Sequence, residues 1–293
     1  MTKAGIVTVA GAPNAGKSTL LNRIIGEKLA ITSRKPQSTR DRIVGIRTDD
    51  SVQMIVFDTP GLFEPRYQLQ RTMRAAALRA LDDADVIVYV ADATLGPPPP
   101  LAQAAGLPNE PRAPVIVALN KLDLIDRSKR AQLAKELPES ILISAKQGDN
   151  VDRLIETATK QLPESPFLYP PDEISTQSVR FFVAELVRET VLDQLHDELP
   201  YSVACAVEEF REDRNPLYIR AVIYVERESQ KRIIIGAGGS RIKDLGRASR
   251  AKIEALVDKP VYLDLWVKVA PNWRKSTSAL ERFGYHLTRD NPR

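Results

Sequence analysis

Residues Gly5 to Asn22 read GIVTVAGAPNAGKSTLLN, and this stretch decides the fold. Ile6-Val7-Thr8-Val9-Ala10 is a continuous apolar run, the pattern of a strand buried on both faces as in a parallel sheet. It passes into Gly11-Ala12-Pro13-Asn14-Ala15-Gly16-Lys17-Ser18, which fits G-x-x-x-x-G-K-[ST], and then into a helix-like segment from Thr19 to Ile24. Strand, glycine loop and helix in that order are the context the pattern needs. Gly11 and Gly16 let the backbone curl so that the N–H groups from Asn14 to Thr19 converge on phosphate oxygens, aided by the positive end of the helix. Lys17 would reach the β- and γ-phosphates, and the Ser18 hydroxyl would ligate Mg²⁺. A chance glycine loop is the competing explanation. The four fixed positions arise by accident in about one chain in a hundred of this length, and placement between strand and helix makes that rarer still.

With 293 residues, 43% of them hydrophobic, the chain can bury a substantial core and is expected to form two domains. No apolar run is long enough to span a bilayer, and Met1-Thr2-Lys3 does not begin a signal peptide, so a cytoplasmic location is expected. Cys205 is the only cysteine and His196 and His286 the only histidines, which excludes an intrachain disulfide and argues against a cysteine or histidine metal cluster. The net charge is +4, yet Lys231, Arg232, Arg241, Lys243, Arg247, Arg250 and Lys252 crowd one segment against the single acid Asp244. That density points to a polyanion, the alternative being a solvated helix face.

Further along, 33–41 reads as a polar loop, and Arg42–Thr48 with Val52–Phe57 as a hairpin ending in Asp58-Thr59-Pro60-Gly61. Leu69–Leu81 has helical spacing, and Asp85–Ala91, Val115–Leu119 and Ile141–Ile143 are buried strands. Prolines 97 to 100, 108, 111 and 114 predict an irregular surface loop where a βα fold would place a helix. Val151–Leu162 is a helix. Alternation with polar motifs at the strand ends indicates an α/β domain with a mostly parallel sheet and its ligand beyond the strands' carboxyl ends. The domain is placed at 1–165, followed by a proline-rich linker at 166–176 and a second domain at 177–293.

Asn120-Lys121-Leu122-Asp123 selects the base. An aspartate accepts from both N1–H and the 2-amino group of guanine, whereas adenine would leave it unpaired. Asn120 would hold the loops together, the Lys121 stem could lie on the purine, the Ala145 N–H would meet guanine O6, and Ser144 and Lys146 would position that loop. With these motifs in order, the first half resembles the translation-factor-type small GTPases, which implies GTP and GDP as ligands. By that resemblance Thr39 binds Mg²⁺ through its hydroxyl, with Ser38 as the rival, Asp58 holds the ion through water, and the Gly61 N–H touches the γ-phosphate. Lys17, Thr39 and Gly61 would form the catalytic set. Leu62 stands where many such enzymes carry a water-orienting glutamine. Asn14 resembles an asparagine that coordinates K⁺ in related GTPases, the alternative being an amide that stabilises the loop.

The second domain reads α-β-β-α-α-β: Gln177–Leu195, Tyr201–Phe210, Leu217–Glu226, Lys231–Ile235, Arg241–Leu256, Pro260–Val269. This order, with Gly236-Ala237-Gly238-Gly239 between two helices, matches the α+β KH fold, whose G-x-x-G loop clamps about four nucleotides of single-stranded RNA. Ile235 to Gly239 would form the clamp, and Arg241, Lys243 and Arg247 would supply cations. A GTPase domain followed by a KH domain, with QSTR, DTPGL, NKLD, SAK, ELPYSVA, IIIGAGG and NWRKS, resembles the bacterial Era GTPase family along nearly the whole chain. The resemblance implies a monomer that binds the 3′ end of 16S ribosomal RNA and assists assembly of the small ribosomal subunit. Two other functions compete. One is a membrane-surface GTP switch, peripheral at the inner face of the cell membrane, whose basic helix meets anionic lipid. The other is a GTPase with a KH-like module that has lost RNA binding.

Overall fold

A computed structural model describes residues 1–33, 35–195 and 198–285. Arg34 of the polar loop and both histidines, His196 and His286, lie outside the described residues. The contacts divide the chain into two units, Met1–Arg66 with Met73–Thr176, and Tyr67–Thr72 with Gln177–Arg293.

In the first unit, six strands form one sheet: β1 (Lys3–Ala10), β2 (Ile43–Asp49), β3 (Val52–Asp58), β4 (Val86–Asp92), β5 (Val115–Asn120) and β6 (Ile141–Leu142), in the order β2-β3-β1-β4-β5-β6. Only β2 runs antiparallel, as the first arm of the expected hairpin. All residues of β4 but the last are buried, which is why its sequence is apolar throughout rather than alternating. Because β3 and β4 flank β1 in parallel, the strand order reverses at β1, and Ala10, Asp58, Asp92 and Asn120 end on one edge. The helices are α1 (Lys17–Ile25), α2 (Gln68–Asp82, of which residues 73–82 fall in this unit), α3 (Leu101–Ala105), α4 (Arg127–Glu136) and α5 (Val151–Gln161).

The proline-rich 97–114 stretch is not an irregular surface loop throughout. Pro100 precedes the first turn of α3, a position where a missing N–H costs nothing, and Leu101 and Ala105 are buried against Leu81, Ile87 and Tyr89. The prolines at 166–171 belong to a segment held against the sheet of the first unit. Gln53, fully buried on β3, accepts from the Leu168 and Tyr169 N–H groups at 2.7 and 2.9 Å and donates to Tyr169 O at 2.8 Å. Farther along, Ile46 N–H donates to Ile174 O at 2.9 Å and Ser175 Oγ to Val44 O at 2.6 Å. Residues 168–175 are therefore strapped to β2 and β3.

In the second unit, α6 (Val179–Gln194), α7 (Glu228–Ile235) and α8 (Ser240–Val257) accompany a sheet β7-β8-β9, formed by Ala204–Arg211, Leu217–Val225 and Val261–Val269. β7 and β8 are antiparallel, β8 and β9 parallel. The core joins Val183, Val187 and Val191 of α6 to Ile219, Ala221 and Ile223 of β8 and to Leu245 and Ile253 of α8. A short α9 (Thr277–Arg282) follows Trp273, which is fully buried and donates to Ser202 O at 2.9 Å. This is the expected α-β-β-α-α-β order.

Removing the Gln53 amide strands two N–H groups of the strap. Gln53→Leu is expected to lower unfolding stability by about 1–3 kcal/mol; an unchanged urea midpoint would show that the strap contributes nothing.

Candidate nucleotide site and nucleic-acid interface

The loop between β1 and α1 encloses one end of a cavity of about 700 Å³, lined among others by Asn14, Gly16, Lys17, Ser18, Thr19, Thr39, Gly61, Asn120, Lys121, Asp123 and Lys146. That size accommodates a nucleotide. Gly16 holds φ 97° at the start of α1, and a Cβ there would stand 2.1 Å from Asn120 Nδ2, so no other residue fits. Lys17 is 6% exposed, with Nζ on Ala12 O at 2.9 Å and Gly11 O at 3.2 Å. Beside it, Ser18 Oγ donates to Asp58 Oδ2 at 2.6 Å, and Thr39 Oγ1 lies 2.8 Å from Ser18 Oγ and 3.2 Å from the same carboxylate oxygen. Ser38 lines the cavity, but the hydroxyl in this cluster is that of Thr39.

Burial pushes both charged groups toward neutrality. Asp58 rises to about 6 against the pull of Lys17, Ser18 and Thr39, and Lys17 falls to about 8 despite attraction from Asp58. Asp58 Oδ1 is buried and has no hydrogen-bond partner among the described residues. Two hydroxyls and a carboxylate with a spare oxygen are a hard donor set, which fits Mg²⁺. A polyphosphate with its dication would restore both charges. Leu62 turns away: it is 8% exposed, packs with Ala10, Ala77 and Tyr89, and its N–H donates to Gly11 O at 3.0 Å.

At the other end, Asn120 ties two loops. Its Nδ2 donates to Ala15 O at 2.8 Å, and its Oδ1 accepts from the Ala145 N–H at 2.9 Å. The Ala145 N–H expected to face guanine O6 is thus engaged by Asn120. Ser144 Oγ donates to Asp123 Oδ1 at 2.6 Å and fixes the carboxylate at the cavity edge. Three supports were not read from the sequence. Asp92 pairs with Lys121 Nζ at 2.6 Å and steers the lysine stem; its place at the end of an apolar strand, like Asp58 and Asn120, was the available signal. Asn22 accepts from the Leu29 and Ala30 N–H groups at 3.0 and 2.8 Å. Arg23 donates to Ala145 O and Lys146 O at 3.3 and 2.6 Å, with no signal in its spacing.

In the second unit, Ala237–Gly239 form a 3₁₀ turn between α7 and α8, with φ of 73°, 57° and 76° at Gly236, Gly238 and Gly239. Ile235 and Gly236 are half-buried, whereas Ala237, Gly238, Arg241, Lys243 and Arg247 are exposed. Arg241 Nη1 donates to Ile233 O at 2.9 Å, closing the end of α7. Lys243, Arg247 and Arg250 form one wall of a groove of about 350 Å³ whose other wall is Tyr262, Leu263 and Leu265 of β9. Tyr262 joins this groove only through the fold. Lys252 leaves the basic set, because Glu189 and Asp193 of α6 each hold its Nζ at 2.9 Å.

A family model described as a 50S ribosome-binding GTPase matches residues 6–121, and a KH-domain model matches 198–274. GTPase Era of Carboxydothermus hydrogenoformans is 41% identical over 97% of this chain and 98% of its own length. GTPase Era of Ectopseudomonas mendocina is 43% identical with the same coverage. Among solved structures, a variant of Aquifex aeolicus Era bound to GDP·AlF₄⁻ superposes with a TM-score of 0.90 at 39% identity, covering 98% of this chain and all of that one. Era in complex with MgGDPNP and nucleotides 1506–1542 of 16S ribosomal RNA superposes at 0.91, with the same identity and coverage. With both modules in the same order and this identity along nearly all of both chains, the protein belongs to the Era family of GTPases.

Proposed function

We propose that this GTPase is a switch whose KH unit binds the 3′ region of 16S ribosomal RNA and assists maturation of the small ribosomal subunit. The observation that carries the nucleotide half is the Ser18, Thr39 and Asp58 oxygen cluster beside buried Lys17. The RNA half is supported by the exposed glycine turn with its basic groove and by the related Era that binds 16S nucleotides 1506–1542. In this reading the GTPase domain is 1–165, the connecting segment 166–176 and the KH domain 177–293. The protein acts as a cytoplasmic monomer; among the described residues no helix is long and apolar enough to cross a membrane.

The chain's own groups divide the work. N–H groups of the phosphate loop and Lys17 bind the phosphates, Ser18, Thr39 and Asp58 hold Mg²⁺, and the Gly61 N–H faces the γ-phosphate. Bound Mg²⁺ supplies positive charge to the phosphate oxygens. Asp123 would read guanine, and its orientation by Ser144 predicts that Asp123→Asn weakens GTP binding by about 1–3 kcal/mol while favouring xanthosine triphosphate. Unchanged GTP affinity in a titration would remove Asp123 from the base site.

The Leu62 side chain, in the core, can neither donate nor accept and so cannot orient water. Hydrolysis needs another source of help, and we assign this to K⁺ held by Asn14, which would supply the charge otherwise given by an arginine finger. Asn14 has φ 61° and lines the cavity. Glycine tolerates that backbone, so Asn14→Gly removes the amide without strain. The parent should turn over GTP faster in K⁺ than in Na⁺, by up to about 10³-fold, and Asn14→Gly should lose the difference while still binding GDP. A parent indifferent to K⁺ refutes the assignment.

For RNA, a carboxylate on the exposed turn should repel phosphates. Ala237 and Gly238 are exposed, and a Cβ on Gly238 meets nothing within 4 Å. Its φ of 57° strains a side chain, but aspartate tolerates that left-handed backbone better than most residues. Ala237→Asp with Gly238→Asp therefore costs local strain in the turn and leaves the core untouched. The double variant should lose single-stranded RNA binding, read by filter binding, and keep basal GTP turnover. RNA affinity equal to the parent's overturns the clamp. Loss of binding to anionic vesicles, with none to RNA in the parent, would move the basic face to a membrane surface.

A further inference from the structure

The wall of the KH groove opposite the basic face of α8 ends in an aromatic stack that a backbone clamp does not require. Tyr262 of β9 is 59% exposed and borders the groove across from Lys243, Arg247 and Arg250. The register sets it directly beside Tyr218 of β8, with ring centroids 5.8 Å apart and planes 13° from parallel. Tyr218 is fixed in turn. Its hydroxyl donates to Asp264 Oδ2 at 2.9 Å and accepts from Arg220 Nη2 at 2.8 Å, and the Arg211 and Arg214 guanidinium groups lie 5.5 and 5.6 Å from its ring. Tyr262 is therefore an exposed aromatic ring, backed by a second ring on the sheet face turned away from the helices, at the rim of the cationic groove.

We infer that Tyr262 is a stacking platform for one nucleobase of the bound single-stranded RNA, beyond the nucleotides held by the Gly236–Gly239 turn. The inference rests on the RNA-binding reading and extends it. A ring with two rotatable bonds that is already ordered by its neighbour loses little entropy when a base settles on it. Every base offers a π-face, and stacking on an aromatic side chain changes affinity by about 5- to 100-fold. Arg220 beside the stack is already paired with both Asp264 and Glu209, and stacking itself displaces no counterions. The platform's contribution is thus independent of salt, unlike that of the α8 cations across the groove. It also supplies what the glycine turn lacks, a surface that responds to the base rather than to the backbone.

The competing explanation is a cross-strand tyrosine pair that only stabilises the sheet, by roughly 0.2–1 kcal/mol. Full-length protein and single-stranded RNA oligonucleotides carrying 2-aminopurine at successive positions separate the two. The parent should quench one position by stacking. Tyr262→Phe should retain both quenching and affinity. Tyr262→Ala and Tyr262→Leu should each lose the quenching and bind about 5- to 100-fold more weakly, with an unchanged salt slope. Arg250→Ala should instead lower the slope by about 0.7. Affinity restored by Tyr262→Leu overturns the inference, because leucine fills space without stacking. So does parental affinity in Tyr262→Ala; if the double aspartate variant has lost binding in the same assay, the clamp stands and only the platform falls. Parental RNA affinity in the double aspartate variant removes the RNA reading itself, and the platform with it.

Discussion

Two opposite charges, Lys17 and Asp58, are held out of water at one edge of a six-stranded sheet, and their mutual attraction does not compensate their burial. The architecture around them follows from making that arrangement tolerable. The strands that carry them in are apolar on both faces, so the carboxyl edge is the place where polar groups can collect. Carbonyls of Gly11 and Ala12 take the lysine ammonium, and hydroxyls of Ser18 and Thr39 take one carboxylate oxygen. The other carboxylate oxygen has no hydrogen-bond partner among the described residues, which makes the pocket more favourable loaded than empty.

The KH unit handles charge in the opposite way. Apart from Lys252, which is paired, the cations of α8 (Arg241, Lys243, Arg247 and Arg250) are exposed, where each costs little to place and contributes through long-range attraction to phosphate. Where it does bury charge, a partner carboxylate neutralises it: Arg188, 1% exposed, donates to Glu185 at 2.8 and 2.5 Å, although its Nη1 has no acceptor among the described residues. Core aromatics follow the same logic, with the Trp273 indole N–H satisfied by a backbone carbonyl. One unit thus stores its electrostatics inside for a compact ligand, and the other displays them for an extended one.

The sheet and the glycine loops were legible because buried strands leave unbroken apolar runs and because phosphate loops tolerate few residue types. What escaped had weaker or longer-range causes. α4 buries only Leu133, so no apolar period announces it. α3 hides behind four prolines, since proline is read as a breaker although it fits just ahead of a helix. The pairing of Lys252 with Glu189 and Asp193 joins residues 63 and 59 positions apart, and nothing near Lys252 betrays it. Gln53 looks like one polar residue in a strand, yet it binds a strap more than a hundred residues away. The oxygen cluster of Ser18, Thr39 and Asp58 stands in motifs, whereas Asn22, Arg23 and Asp92, which hold neighbouring loops and Lys121, belong to none and are brought into place only by the fold.

Asn120 carries a consequence for how such a site can change over evolutionary time. One amide joins the phosphate loop at Ala15 to the loop at Ala145, and the Gly16 backbone lies so close that no side chain could intervene. Three segments far apart in the gene are therefore inherited as a single geometric unit. A drift in any one loop displaces the other two, so base preference cannot be retuned while the phosphate cradle stays still. Diversification is channelled away from this knot toward segments that Asn120 does not join.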